Sequence, residues 1–389
     1  MREVAIIGVH MTKFGKHIDR SLRDLGQEAV MGAVKDAAIS LKDIQVAYVG
    51  NGLAGLLTGQ EGIRGHVILK EVGLQELPII NVEGACASGS LAVFQAWMAV
   101  ASGYCDTALA LGVEKMHVGD TARTTAALST DSDIDMEGRL GFSFPSYYAM
   151  RIKRHMDQYG TTREQIARVT IKNHKNGCLN PYAQYQKEVT LEEVLNSRVI
   201  AWPLTLLMCC PIGDGAAAAI LTAKKIARRH TTQPVTIASL AVKSGRIFNP
   251  NDPNWVDICE LTANQAYEEA GIGPGDVGAV ELHAAACSGE LIRMEHLGLC
   301  KKGESGRSVD DGETEITGRI PVNPSGGMDA KGHPIGATGV GQLTEIVWQL
   351  RGQAGARQIN PKPKVGLVHN GGGMVAGEPA VQTVTVLKG

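Results

Sequence analysis

Apolar residues in this chain come in short consecutive runs, separated by longer segments in which they recur at helical spacing. Val4 to Val9, Val46 to Gly50, Ile79 to Val82 and Thr107 to Leu111 read as strands, being aliphatic or β-branched and bounded by turn residues. A helix is expected to open at Ser21, where Asp24 completes a capping box, and an Ala-rich helix is expected from Cys86 to about Ser102. Runs that are apolar throughout suit strands buried on both faces. The βα alternation therefore predicts an α/β fold with a mostly parallel sheet covered by helices.

The stretch 119–206 breaks this pattern: it is rich in Thr, Ser, Asp, Arg and Tyr and reads as loops and polar helices inserted into the fold. Ala216 to Leu221 restores a strand, followed by a helix over 223–229. Val235 to Leu240, a helix from about 256 to 270, Val277 to Leu282, a helix from about 287 to 299, a helix near 338–351, Val365 to His369 and Val381 to Leu387 then repeat the earlier order. The chain thus divides into an N-terminal half (1–118), a loop insertion (119–206), a segment completing the N-terminal half (207–232) and a C-terminal half (233–389).

Composition sharpens this. The 389 residues include 47 glycines but only 4 Trp, 8 Tyr and 5 Phe, which favours close backbone packing over an aromatic core. Thirty-eight basic residues against 40 acidic ones give no overall charge that would predict a nucleic-acid or membrane-surface partner, so an anionic ligand must be held locally. No apolar run approaches a membrane span, and the start of the chain lacks a signal-peptide pattern, so a cytoplasmic location is expected. The 8 cysteines form no CxxC pair and HExxH is absent; reduced thiols and no bound metal are expected.

Cys86 is the first candidate for chemistry. A strand runs into a glycine-containing turn and the cysteine opens a helix, where unpaired N–H groups and the helix dipole favour a thiolate, although an inert core cysteine fits the same segment. His333 stands in the glycine-dense loop Asn323 to Gly339, directly before a helix, and its imidazole has the basicity to take a thiol proton; a phosphate-cradling turn is the alternative. His283 follows the strand Val277 to Leu282 in the second half's counterpart of the Cys86 position and could donate to an oxyanion. His369-Asn370-Gly371-Gly372-Gly373 ends another strand, and its triple glycine leaves backbone N–H groups unshielded. All four sites fall at expected carboxyl ends of strands or in loops beside them, where open α/β sheets bind ligands.

Other matches lack the right context. Gly273 to Gly278 fits GxGxxG but lies between a helix and the next strand and reads as a turn; Lys224, Lys225, Arg228 and Arg229 read as a solvated face; Cys209-Cys210 reads as packing rather than redox chemistry.

Together the motifs resemble the thiolase superfamily, in its sterol-carrier-protein-like branch with many acetyl-CoA acetyltransferase-like members. The resemblance runs over Val4 to Gly15, Glu83 to Gly89, Gly160 to Gln165, Asn180 to Gln184, Cys209 to Ala216, Gly332 to Gly339 and His369 to Gly373, essentially the whole chain. It implies a thiolase-like αβαβα layered fold of two similar halves with a loop domain, a homodimer, coenzyme A as co-substrate and no bound cofactor. It also implies an acyltransferase in which Cys86 takes the acyl group, His333 accepts its proton, His283 holds the enolate oxygen, and the N–H groups of Cys86 and Gly371 form a second oxyanion hole. Coenzyme A is expected across the insertion, where Arg123, Arg139, Arg151, Lys153 and Arg154 are available for its phosphates. A small accessory protein with a zinc ribbon and an OB-like fold is the expected companion.

One departure matters. After this histidine the branch usually reads Asp-Cys-Phe-Thr, its cysteine acting at the substrate α-carbon, whereas here the run is His283-Ala284-Ala285-Ala286-Cys287 and position 369 is a histidine. Cys287 is then expected to reach the α-carbon from a shifted helix start. Ala284, Ala285, Ala286 and His369 are expected to line a pocket widened for a bulky or aromatic 3-oxoacyl-CoA such as benzoylsuccinyl-CoA. Two alternatives stand beside this: a decarboxylating Claisen condensation run by a Cys-His-His set, and a non-catalytic acyl-CoA or lipid-binding subunit.

Overall fold

The computed structural model describes residues 1–230, 233–247, 252 and 255–389. The expected boundary at 232 lies outside the described residues. The first half comprises β1 (Val4–Met11), α1 (Leu22–Ala37), β2 (Val46–Gly50), α2 (Ala54–Thr58), α3 (Arg64–Val72), β3 (Ile79–Val82), α4 (Ser88–Ser102) and β4 (Thr107–Glu114). The insertion carries α5 (Thr121–Ser129), α6 (Phe144–Tyr159), α7 (Arg163–Cys178), α8 (Leu191–Asn196) and a small hairpin of β5 (Val199–Ala201) and β6 (Leu204–Thr205). Then follow β7 (Gly215–Ala223), α9 (Lys224–Ala227), β8 (Val235–Ser244), α10 (Ile258–Ala270), β9 (Ala279–Leu282), α11 (Ser288–His296), α12 (Ser305–Asp310), α13 (Ile335–Arg351), β10 (Val365–Gly372) and β11 (Val381–Lys388). The capping box forms as expected, with Ser21 Oγ accepting from the Asp24 N–H and Asp24 Oδ2 accepting from the Ser21 N–H.

Among the described residues nine strands join in the order β3-β2-β4-β7-β1-β8-β11-β10-β9. Pairing is parallel in the outer part of each half, between β2 and both β3 and β4 and between β9 and β10. In the middle it is antiparallel, because β1, β7, β8 and β11 return along their neighbours; the sheet is mixed. The layers alternate: α1 and α3 cover the outside of the first half, α4 and α13 lie between the two halves, and α10 covers the outside of the second. This is the αβαβα arrangement expected from the resemblance.

The central layer explains the glycine content. A Cβ at Gly89 or Gly112 would lie 2.5 or 2.3 Å from the Gly336 carbonyl oxygen, so α4, β4 and α13 meet backbone against backbone. Every residue of α13 is buried, and its charged side chains are paired with neighbouring elements, as where Arg357 makes three hydrogen bonds to Glu345 and Arg351 donates to Asp36. The 18 residues Ala85–Ser102 have a mean hydropathy of 1.3 and by composition alone could cross a bilayer, a run longer than the sequence reading allowed; 67% of the segment is buried as core. The insertion packs its own cluster, Tyr148, Ile152 and Ile166, together with Met208 just after it, onto Leu291 and Ile292 of α11.

Candidate active site

Cys86 lies in a single 3-10 turn, Ala85–Ala87, between β3 and α4. Ala85 adopts φ 51°, a left-handed conformation that costs a residue with a Cβ on the order of 1 kcal/mol. Hydrogen bonds hold the bend: the Ala85 N–H donates to Glu83 Oε1 (2.6 Å), the Gly84 N–H to Ser88 Oγ (3.0 Å), and Ser88 Oγ to the Ala85 carbonyl (2.7 Å). From the far side a Cβ on Gly372 would come within 2.1 Å of the Gly84 oxygen and 2.6 Å of the Ala87 nitrogen, so the end of β10 presses directly on the bend. Burial pushes the Cys86 thiol well up, and the carboxyl of Asp131 and the thiol of Cys210 add to it. The helix start therefore orients the sulfur, while the resting group is a thiol rather than the expected thiolate.

His333 leads through Pro334 into α13, and its Nε2 lies 3.3 Å from Cys86 Sγ. Thr338, one turn into the helix, donates its hydroxyl proton to the Pro334 carbonyl (3.0 Å). Its oxygen is then an acceptor for His333 Nδ1–H at 2.7 Å, which leaves the lone pair on Nε2, facing the thiol. Burial, with Lys331 second, lowers the imidazole to about 3. Thiol and imidazole both rest neutral, so the proton moves as the sulfur attacks.

Buried charges fix this loop. Glu114, at the end of β4, accepts from the Gly52 N–H (2.9 Å), the Leu53 N–H (3.2 Å) and the Gly336 N–H (3.0 Å), tying the strand to the first turn of α13. Glu281 accepts from Ser325 Oγ (2.8 Å) and Lys331 Nζ (3.1 Å), and Asn323 donates to Glu290, whose other oxygen takes Lys172. Thr338 and Glu114 escaped the sequence reading; the available signal was a polar residue inside an otherwise apolar helix or strand.

His283 Nε2 lies 3.4 Å from His333 Nε2, the two rings edge to face. Its backbone N–H donates to the His369 carbonyl at 3.0 Å, and His369 itself is buried against Gln382 (2.6 Å). Cys86, His283 and His333 open onto a cavity of about 150 Å³ that Gly371, Gly372 and Gly373 also line, with Phe144, Tyr147, Tyr148, Cys210 and Arg293. Cys86, His283, His333 and the triple glycine are thus brought to one place.

Other expectations are corrected. Cys287 does not reach the cavity: its thiol donates to the Ile166 carbonyl (3.4 Å) within the core of the insertion. Ala285 lines the cavity, but Ala284 packs into the core of the C-terminal half and Ala286 beside Cys287, so only one of the three alanines bounds the substrate space. His369 braces His283 from behind instead of lining the wall. Arg151 is held by Asp257 Oδ2 (2.5 Å) and Tyr147 Oη (2.5 Å) and is not free for a phosphate. Arg139 pairs with Asp135, Lys153 with Asp157, and Arg123 donates to the Leu56 carbonyl. Arg154 borders a second cleft of about 400 Å³, with Tyr147 shared between the two. All eight cysteines are free thiols.

Among the described residues, two trios have donor atoms within 4.8 Å of one another: Cys86, His283 and His333, and Asp257, Cys259 and His296. A cation in the first would occupy nucleophile and base together. In the second, Asp257 already faces Arg151 and Arg293.

Comparison with known proteins agrees with the fold. A family model described as "Thiolase, N-terminal domain" matches residues 4–225, and "Thiolase C-terminal domain-like" matches residues 239–388. The chain is 48% identical over 375 residues to an acetyl-CoA acetyltransferase of Methanothermobacter thermautotrophicus, covering 96% of this chain and 97% of the relative. It is 42% identical to the benzoylsuccinyl-CoA thiolase subunit BbsB of Thauera aromatica, covering 96% and 95%. Among solved structures, the Ltp2-ChsH2(DUF35) aldolase superposes with a TM-score of 0.81 at 28% identity, covering 99% of this chain and 97% of that one.

Proposed function

The chain belongs to the thiolase family, and from that premise we propose that it cleaves a 3-oxoacyl-CoA with coenzyme A through an acyl group carried on Cys86, the substrate bearing a bulky or aromatic acyl group such as that of benzoylsuccinyl-CoA. The observation that carries this reading is the 3.3 Å contact between Cys86 Sγ and the bare Nε2 of His333.

The steps follow from that pair. Cys86 Sγ attacks the 3-oxo carbon as its proton passes to His333, and the tetrahedral oxyanion is met by the N–H groups of Cys86 and Gly371. When the carbon–carbon bond breaks, the electron pair goes into the enolate of the departing acyl-CoA, whose oxygen His283 holds. The proton on His333 then returns to the enolate carbon, so Cys287 is not required. Coenzyme A next attacks the acyl-Cys86 thioester, its thiol proton reaching Cys86 through His333, which restores the enzyme.

The cavity size supports an aromatic acyl group, since a void of about 150 Å³ accommodates a benzene ring. Thiolysis of 3-oxo-3-phenylpropanoyl-CoA should exceed that of acetoacetyl-CoA about tenfold or more in kcat/KM. Preference for acetoacetyl-CoA would remove the bulky substrate, and cleavage of neither would remove the thiolase reading. One observation favours a second reading: with Cys287 outside the cavity, Cys86, His283 and His333 stand as a Cys-His-His set. Carbon dioxide release on mixing an acyl-CoA with malonyl-CoA tests for condensation.

We place the enzyme in the cytoplasm as a homodimer. The two-component name of the aldolase and the subunit designation of the thiolase relative support a companion protein, for which our reading is a small protein with a zinc ribbon and an OB-like fold.

A further inference from the structure

The wall of the acyl cavity contains no Asp or Glu among the described residues, yet Arg293 borders it, and its charge acts on His283 in the same wall. That side chain is 7% exposed, and burying a full positive charge is costly unless it meets an anion. Its Nη1 donates to Asp257 Oδ1 (3.0 Å) and approaches His296 (3.4 Å). The partner is shared, however: Arg151 takes the other oxygen of the same Asp257 at 2.5 Å. Two guanidinium charges therefore face one carboxylate. The next carboxyl, Glu378, is itself buried, and burial followed by the charge of Asp257 raises it to about 7, so it compensates only in part. What remains is a surplus positive charge at the edge of an otherwise largely apolar substrate space. Arginine offers five N–H donors in a fixed fork suited to a carboxylate; Asp257 takes Nη1, and the Cys259 thiol lies against the same guanidinium, which leaves donors for a further anion.

We propose that Arg293 is a specificity residue that anchors a second, free carboxylate of the substrate, so that the acyl-CoA released from the enolate is the thioester of a dicarboxylic acid. This rests on the thiolase reading above, but it concerns binding and is separable from turnover.

Succinyl-CoA and butyryl-CoA differ in a terminal carboxylate against a methyl group. Their binding to the Cys86→Ala protein, measured by calorimetry, tests the proposal without any reaction. Succinyl-CoA is expected to bind about 10- to 100-fold more tightly, the range for a charge-assisted contact. Arg293→Gln in the same background should erase this preference while leaving butyryl-CoA within about threefold, and Arg293→Lys should keep part of it. Equal affinity of the two ligands for the protein carrying Arg293 would overturn the proposal, and that comparison holds even if the Arg293 variants do not fold. Equal weakening of both ligands by Arg293→Gln would also overturn it, since that is what a merely structural role produces. Failure of the thiolase reading is seen elsewhere, as absence of any acyl group on Cys86 in the wild-type protein.

Discussion

Replacing Thr338 by Val keeps the shape of the side chain and removes the one oxygen that holds His333 in its reactive tautomer. In the native protein the hydroxyl gives its proton to the Pro334 carbonyl and accepts Nδ1–H at 2.7 Å, in a site where both residues are buried. Without it, Nδ1–H is left unsatisfied at a cost on the order of 1–3 kcal/mol. The imidazole then shifts toward the form with its proton on Nε2, directed at Cys86, where it no longer accepts. A bias of that size corresponds to about 5- to 150-fold in the rate of thiol attack. The assay is single-turnover acylation of Cys86 in rapid-quench experiments read by intact mass, with nitrogen-15 NMR of the histidines reporting the tautomer. Thr338→Ser should recover the rate to within about threefold, because it restores the hydroxyl. Acylation by Thr338→Val at the native rate, with the tautomer unchanged, would refute the argument that Thr338 sets the base.

Several further outcomes are expected. His333 and His369 stay neutral in the fold down to about pH 3, whereas unfolded histidines protonate near 6.5. The unfolded state thus binds more protons across that window, and each histidine withdraws about 1.4 kcal/mol of stability per pH unit as pH falls below 6.5; urea midpoints should drop between pH 7 and pH 5, and a flat profile contradicts this. Gly372→Ala places a methyl group 2.1 Å from the Gly84 oxygen, so it should shift the Cys86 turn and lower acylation at least tenfold, while an unchanged rate would mean the bend has slack. Cys287→Ala should leave kcat within about threefold and lower stability by about 1 kcal/mol through the small void in the insertion core; loss of turnover in a folded protein would return Cys287 to the mechanism.

The strands, the Cys86 bend and the histidine at the head of α13 were legible because each depends on contiguous residues whose backbone requirements are local. Gly84 and the small residues after it mark a bend, and a glycine-dense loop before an apolar helix marks His333. Orientation across elements was not legible. Cys287 turns away because the residue preceding α11 faces the insertion, and nothing nearby in the chain records which neighbour lies on that side. Arg151 was available in sequence as a phosphate ligand, but its partner Asp257 stands 106 residues away. The same long-range pairing hid Arg293, and Glu114 serves a loop 222 residues on. Ala284, Ala285 and Ala286 read as pocket residues because they stand where the family carries larger side chains, yet successive residues of this turn enter different cores.

The central claim is that Cys86 carries the acyl group, and mass spectrometry of the intact protein tests it most directly. Incubation with 3-oxo-3-phenylpropanoyl-CoA in the absence of free coenzyme A should add one benzoyl group, mapped by proteolysis to the peptide containing Cys86, and adding coenzyme A should remove it. An unmodified protein that nevertheless cleaves the substrate, or an acyl group that maps to another residue, would contradict the account.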